Sequence, residues 1–319
     1  MKALHLRFVS VGLVGLLLTV PPACFARRFV PGRSKVTVPF RTMGGIPVVS
    51  LALNGKKRMN FLFDTGAPPV MLDARAAAAA GLMTTPAQGS DETPCGAAPT
   101  RGVAAKMRVS GYGMEITGSA RVFDLRALSR KLGVRVAGIL GFGAMMPAVP
   151  MLVDYQAQRI TFFVTKRYPQ FGKSTEIPLE SIPAGKVKIS GPVIAAELEL
   201  PDGKLVKANL LIDTGDGGPD ALQLNLPFAK KYGLLPAHPQ ATGREVTAGG
   251  GTCDLVRVSV RALMIGDQKI AYPSTLCAEG PAGSSGSTKF DGQIGDAILS
   301  RFRIFFGAHR HFVVFVPAS

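Results

Sequence analysis

The sequence predicts an all-β protein built as two lobes. Composition points that way: the 319 residues include 37 glycines and 24 prolines, a balance that favours turns over long helices. The Val-, Ile- and Leu-rich runs are short and show no sustained helical period. Most telling, an apolar run ending in Asp-Thr-Gly occurs twice, in "FLFDTGAPPVM" at residues 61–71 and in "LLIDTGDGGPD" at residues 210–220. A chain of this length can bury a core in each of two ordinary-sized domains.

Residues 1–26 read as an export leader. Lys2 and Arg7 precede or flank an apolar run from Phe8 to Val20, and small residues, Cys24 and Ala26, prepare a cut. The run is shorter than the roughly 18 residues a membrane-spanning helix needs, so a cleaved signal peptide is expected and an uncleaved anchor is the rival. The expected location is then the periplasm or the exterior, where cysteines oxidise.

Two copies of one plan follow, a first lobe over 36–165 and a second over 186–317, joined by a polar, proline-bearing linker over 166–185. Each lobe opens with a hairpin, "PVVSLALNGKKRMNFLFDTG" and "PVIAAELELPDGKLVKANLLIDTG", with Asn54-Gly55 and Asp202-Gly203 at the turns. After each Asp-Thr-Gly, "VMLD" and "LQLN" lead into short helices capped by Asp73 and Asn225. Both helices stop at Gly-Leu, with Gly81 and Gly233 as left-handed caps. "GILGFGAM" (138–145) is echoed by "GQIGDAIL" (292–299). The final apolar runs, "PMLVDYQAQRITFFV" and "FRIFFGAHRHFVVFV", predict a hairpin closing each half.

One Asp-Thr-Gly by itself most often marks a turn whose carboxylate accepts backbone hydrogen bonds. Two of them, each ending a buried strand and each followed by the same helix, imply a shared site. Pseudo-symmetric lobes would bring the turns face to face, and one shared proton would relieve the repulsion between their carboxylates.

With Asp64-Thr65-Gly66-Ala67, Asp213-Thr214-Gly215, Ile139-Leu140-Gly141 and the looser Gln293-Ile294-Gly295, the chain resembles the aspartic proteases, as retropepsin-like lobes in a pepsin-like single chain. The resemblance covers most of residues 36–317 in motif order. It implies two pseudo-symmetric acid-protease β-barrel lobes with an interlobe cleft, and an exported aspartic endopeptidase that needs no cofactor and takes polypeptide as substrate. Asp64 and Asp213 would be catalytic. Thr65 and Thr214 would cross-link the turns, Gly66 and Gly215 would give room beside the carboxylates, and Gly141 and Gly295 would back the turns. The sequence departs from the family at Asp216, where Ser, Thr or Ala is usual. Outward is the cheaper arrangement for a third carboxylate beside two others. The segment 84–102 stands where a substrate-covering flap belongs but lacks the flap tyrosine of pepsin-like enzymes. Those two departures feed the alternative, a catalytically inactive module that binds peptide.

The chain carries 37 Lys and Arg against 21 Asp and Glu. Contact with an anionic surface, a membrane or an acidic polymer, follows from that excess. Nucleic acid does not, because the basic residues are scattered without interleaved aromatics. A monomer is expected. Four histidines and cysteines without zinc spacing give no metal site, and no serine stands in a Gly-x-Ser-x-Gly frame. Cys253 and Cys277 lie in one lobe and are expected to bridge, leaving Cys95 over.

Overall fold

The protein is described here by a computed structural model covering residues 25–318 apart from 68–69, 88, 146–148, 166–167, 173, 185–186, 221, 248–250, 279–282 and 308–310. The leader up to residue 24 lies outside these residues.

Alternation builds the first strands. In Lys35–Met43, Val36, Val38 and Phe40 point inward while Lys35, Thr37 and Pro39 stay exposed, the period-two pattern of a half-buried strand. Ile46–Leu53 and Arg58–Asp64 form the next hairpin, and Asn54 and Gly55 turn it with φ of 48° and 75°. Those paired positive values suit a tight hairpin turn and explain Asn-Gly there.

From Arg58–Asp64 the sheet runs through Val136–Gly141, Val70–Asp73, Met114–Phe123 and Gly102–Gly111. It returns to Ile46–Leu53 through Ala52 opposite Ser110 and Leu53 opposite Val109. Six strands thus close a barrel around Leu51, Leu53, Phe61, Phe63, Leu72 and Met107. The second lobe centres on an open ten-stranded sheet that includes Val187–Glu199, Leu205–Ile212, Leu222–Leu224 and Gly292–Ile294. The protein is all-β and two-lobed. The two short helices fall where expected, Ala74–Ala79 and Leu226–Lys231. Asp73 caps the first by accepting from Arg75 N, whereas Asn225 spends its amide on Ser287 O and Phe290 O instead.

The terminal hairpins do not close their own halves. Met151–Asp154 pairs with Phe302–Gly307, Met151 opposite Phe306, so the hairpins of both lobes merge into one sheet that continues into Lys35–Met43. An unpaired edge strand leaves backbone donors and acceptors unmet; joining the two hairpins removes one edge from each.

The expected Cys253–Cys277 bridge is corrected: Cys95 and Cys253 form the disulfide. Strand parity is the reason. Cys277 stands opposite Val256, so its side chain shares Val256's face and packs into the main core. Cys253 lies an odd number of residues from Val256 and therefore points to the other face, where it meets Leu255, Leu276 and Ala278. The sheet itself separates the two sulfurs.

Candidate active site

Each Asp-Thr-Gly turn is delivered by a strand held between neighbours. Val136–Gly141 runs parallel to Arg58–Asp64, with Gly141 opposite Asp64. In the second lobe Gly292–Ile294 runs parallel to Leu205–Ile212, Ile294 stands opposite Ile212, and Asp213 N donates to Ile294 O at 3.0 Å. Such strands are covered on both faces, which is why Phe61-Leu62-Phe63 and Leu210-Leu211-Ile212 are continuous apolar runs rather than alternating ones. Gly295 follows Ile294; a Cβ there would lie 2.7 Å from Asp216 O.

The turns then lock together. Thr65 N donates to Thr214 Oγ1 at 3.0 Å, and Thr214 N donates to Thr65 Oγ1 at 3.1 Å. The hydroxyls reach on into the opposite lobe, Thr65 Oγ1 to Ile212 O at 2.6 Å and Thr214 Oγ1 to Phe63 O at 2.9 Å. Both threonines are buried. Each following glycine presses on the other lobe's carboxyl: a Cβ on Gly66 would sit 2.6 Å from Asp213 Cγ, and one on Gly215 closer still to Asp64 Cγ. A side chain at either position would push the opposite carboxyl out of place.

Asp64 and Asp213 are thereby brought face to face, close enough that each shifts the other's protonation. The pair is not symmetric. Asp64 Oδ1 accepts from Gly66 N and Ala67 N, both at 2.9 Å, while Asp213 Oδ1 accepts from Gly215 N at 2.8 Å. Burial pushes both carboxyls above the usual range. Asp213 rises well above it because the charge of Asp64 adds to burial; for Asp64 the neighbouring Asp213 carboxyl and the two N–H donors oppose the effect of burial. Asp64 is the member better suited to carry charge, and Asp213 to hold the shared proton.

Three further carboxyls surround the pair. Asp216 does not turn outward as expected; its Oδ2 accepts from Gln293 Nε2 at 2.9 Å. The donor supplied by Gln293 offsets part of the cost of burial, and burial followed by the charge of Asp213 raises Asp216 well above the ordinary range, so it can stay neutral beside the dyad. Asp296, whose N–H donates to Asp216 O at 2.9 Å, is buried and accepts from the Tyr155 hydroxyl. Glu245 accepts from Gln223 Nε2 at 3.1 Å. Burial is the largest cause of the raised values of Asp296 and Glu245 as well. Asp296 had a visible sign in the sequence, since it replaces Phe142 of the first copy. Glu245 had none.

The dyad lines a cleft of about 800 Å³. Leu62, Ile139 and Leu128 give it apolar walls on the first-lobe side, and Leu211, Leu276 and Phe290 on the second. A hairpin of Ser90–Thr93 and Gly96–Pro99 stands where the flap was expected, with Thr93 and Pro94 on the cleft. Among the described residues, Cys95, Glu245 and Cys253 bring three metal-ligating atoms within 4.8 Å of one another, but their two sulfurs are joined in the disulfide.

Residues 49–144 match the aspartyl protease family, a span that contains Asp64 and Gly141. The crystal structure of an aspartic proteinase from Irpex lacteus is similar over 89% of this chain and 98% of its own, with a TM-score of 0.55 and 15% identity. A likeness at that identity is one of fold. No curated protein sequence matches the chain.

Proposed function

We propose, from an aspartic-protease match in the first lobe and the two-lobed fold of an aspartic proteinase across nearly the whole chain, that this protein is an exported endopeptidase whose catalytic pair is Asp64 and Asp213. One observation carries the reading: two carboxyls from equivalent, interlocked turns, Asp213 buried and Asp64 half-buried, each packed against the other lobe's turn glycine, meet at the floor of a cleft large enough for a peptide strand.

The chemistry follows from the asymmetry of the pair. Asp64, charged, takes a proton from a water held between the carboxyls as its oxygen adds to the scissile carbonyl carbon. Asp213 gives its proton to the carbonyl oxygen, which becomes the second hydroxyl of a gem-diol. A diol hydroxyl then returns its proton to Asp213, Asp64 passes its proton to the amide nitrogen, and the C–N bond breaks. The division of one shared proton between two carboxyls is general to aspartic proteases. The apolar walls favour peptide segments with apolar side chains beside the cut.

The leader-like residues 1–26 support export, and the basic excess supports contact with an anionic surface outside the cytoplasm. N-terminal sequencing of the protein recovered after expression with its leader tests export.

Incubating the purified protein with an unfolded polypeptide across acid to neutral pH tests the activity. Cuts are expected from the parent and not from Asp64→Asn or Asp213→Asn, each still folded. Near-normal cutting by either variant would contradict a two-carboxyl mechanism. Binding without cuts by the parent would favour the alternative, a peptide-binding module.

A further inference from the structure

The disulfide joins the two lobes across the mouth of the cleft. Cys95 is at the turn of the first-lobe hairpin, between Ser90–Thr93 and Gly96–Pro99. Cys253 belongs to the second-lobe strand Thr252–Val258, opposite Glu245 of Ala241–Val246. Thr93 and Pro94 on one side of the bridge, and Glu245 and Thr247 on the other, all line the cavity whose floor is Asp64 and Asp213. Glu245 lines the same cavity as Asp64 and Asp213, so the cross-link beside it borders the space over the reacting atoms.

The hairpin tip is also seated by fit. Ser285 N donates to Pro94 O at 3.4 Å, and Gly283, at φ +75°, approaches so closely that a Cβ there would come within 2.9 Å of Gly96 Cα. A two-stranded hairpin is by itself marginally stable and could lift from such a seat. One covalently fastened at its tip cannot. Below, the floor is shut by the Thr65–Thr214 hydrogen bonds and by the sheet common to both lobes. The 158-residue separation from Cys95 to Cys253 spans the linker and Asp213, so a strand lying on the dyad under the hairpin passes through a closed covalent loop.

We propose that the Cys95–Cys253 cross-link closes the cleft overhead where the hairpin crosses it, and that the oxidised protein therefore takes unfolded polypeptide by threading a free chain end. Internal segments held at both ends by folded structure are excluded. This rests on the endopeptidase reading and narrows its substrate class to unfolded chains and loose termini, leaving surface loops of folded proteins uncut.

The test uses one unfolded segment in two forms, one with a free end and one fused at both ends to compact, stably folded domains. The oxidised protein should cut the free-ended form at least ten times faster than the blocked form. Cys95→Ser/Cys253→Ser, and the parent reduced after folding, should cut both forms at rates within twofold of each other. The reduced parent keeps the test decisive where the double variant does not fold. Equal cutting of both forms by the oxidised protein overturns the proposal, as does a blocked form that stays uncut after the cross-link is removed. If no form of the protein cuts either substrate, the endopeptidase reading fails, and binding to the oxidised protein decides the matter. Binding confined to the free-ended form supports threading; equal binding, or none, overturns it.

Discussion

Thr65 and Thr214 hold each other across the lobe boundary, each donating its N–H to the other's hydroxyl and its own hydroxyl to a main-chain oxygen of the opposite lobe. This reciprocal set of bonds makes two carboxyl-bearing turns into one rigid floor. It lies wholly inside the protein, where water cannot replace a lost partner.

Thr214→Val keeps the shape of the side chain but removes the donor to Phe63 O and the acceptor for Thr65 N. Two buried groups are then left unmet, at a cost of about 2–4 kcal/mol. Chemical denaturation should show that loss, and kcat should fall more than KM rises, since the turns set the distance between the carboxyls. Thr214→Ser retains the hydroxyl and should keep most of both. A valine variant as stable as the parent would mean that the interlock contributes little.

Asp296 gives a pH signature to stability. It accepts from Tyr155 through one oxygen, and its Oδ2 has no partner among the described residues. Burial raises its pKa well above the ordinary range, and the charges of Asp213, Asp216 and Asp64 add to this. The folded protein therefore retains a proton that the unfolded chain, with an Asp pKa of about 3.9, releases. The stabilisation is fully present below that unfolded value and is lost as pH rises toward the folded one. Asp216, Asp213 and Glu245 act in the same sense. The parent should thus unfold more easily at pH 7 than at pH 4, and Asp296→Asn should reduce that slope and stabilise the protein at pH 7. Thermal unfolding at the two pH values checks this; a variant weakened equally at both shows that the carboxyl is not held protonated.

The disulfide makes a separate statement about stability. Closing a loop of 158 residues constrains the unfolded chain by about 5 kcal/mol in the chain-entropy description. Peptide mapping without reduction should recover Cys95 linked to Cys253, with Cys277 reacting with a thiol reagent only once the protein unfolds. Cys277 in a bridge would contradict the placement.

The meeting of Asp64 with Asp213 was legible in the sequence because local signals agreed at both copies. A buried strand, an Asp-Thr-Gly turn and a helix stopped by glycine recur in order, and the glycines at 66 and 215 are required by contacts the pseudo-symmetry implies. The placement of Ile139-Leu140-Gly141 beside the first turn was legible for the same reason. What escaped depends on parts far apart in the chain. The Cys95–Cys253 bridge needs two hairpins from different lobes to meet at their tips, and spacing within one lobe says nothing of that. Asp216 turns inward because Gln293 offers an amide, 77 residues away. The joining of the terminal hairpins is an edge-to-edge choice, and alternation along a strand does not name the neighbour.

Asp216 should set the pH range of activity. In the proposed mechanism the working dyad carries one negative charge: the acid limb of the profile marks its gain and the alkaline limb the loss of the shared proton, both as properties of the coupled group. The charge of Asp216 raises Asp64, and Asp216 is itself held protonated to higher pH by burial and by Asp213. At the acid limb Asp216 is therefore largely neutral and acts weakly. Toward the alkaline limb it begins to ionise, and its charge then makes the dyad hold the shared proton longer. Asp216→Ser removes that charge while leaving a hydroxyl within the same turn. Both limbs should move to lower pH, the alkaline one further, by on the order of one unit, and activity at neutral pH should fall more than activity in acid. Profiles of kcat against pH for the parent and the variant decide it. An alkaline limb that stays in place would show that the third carboxyl does not act on the pair.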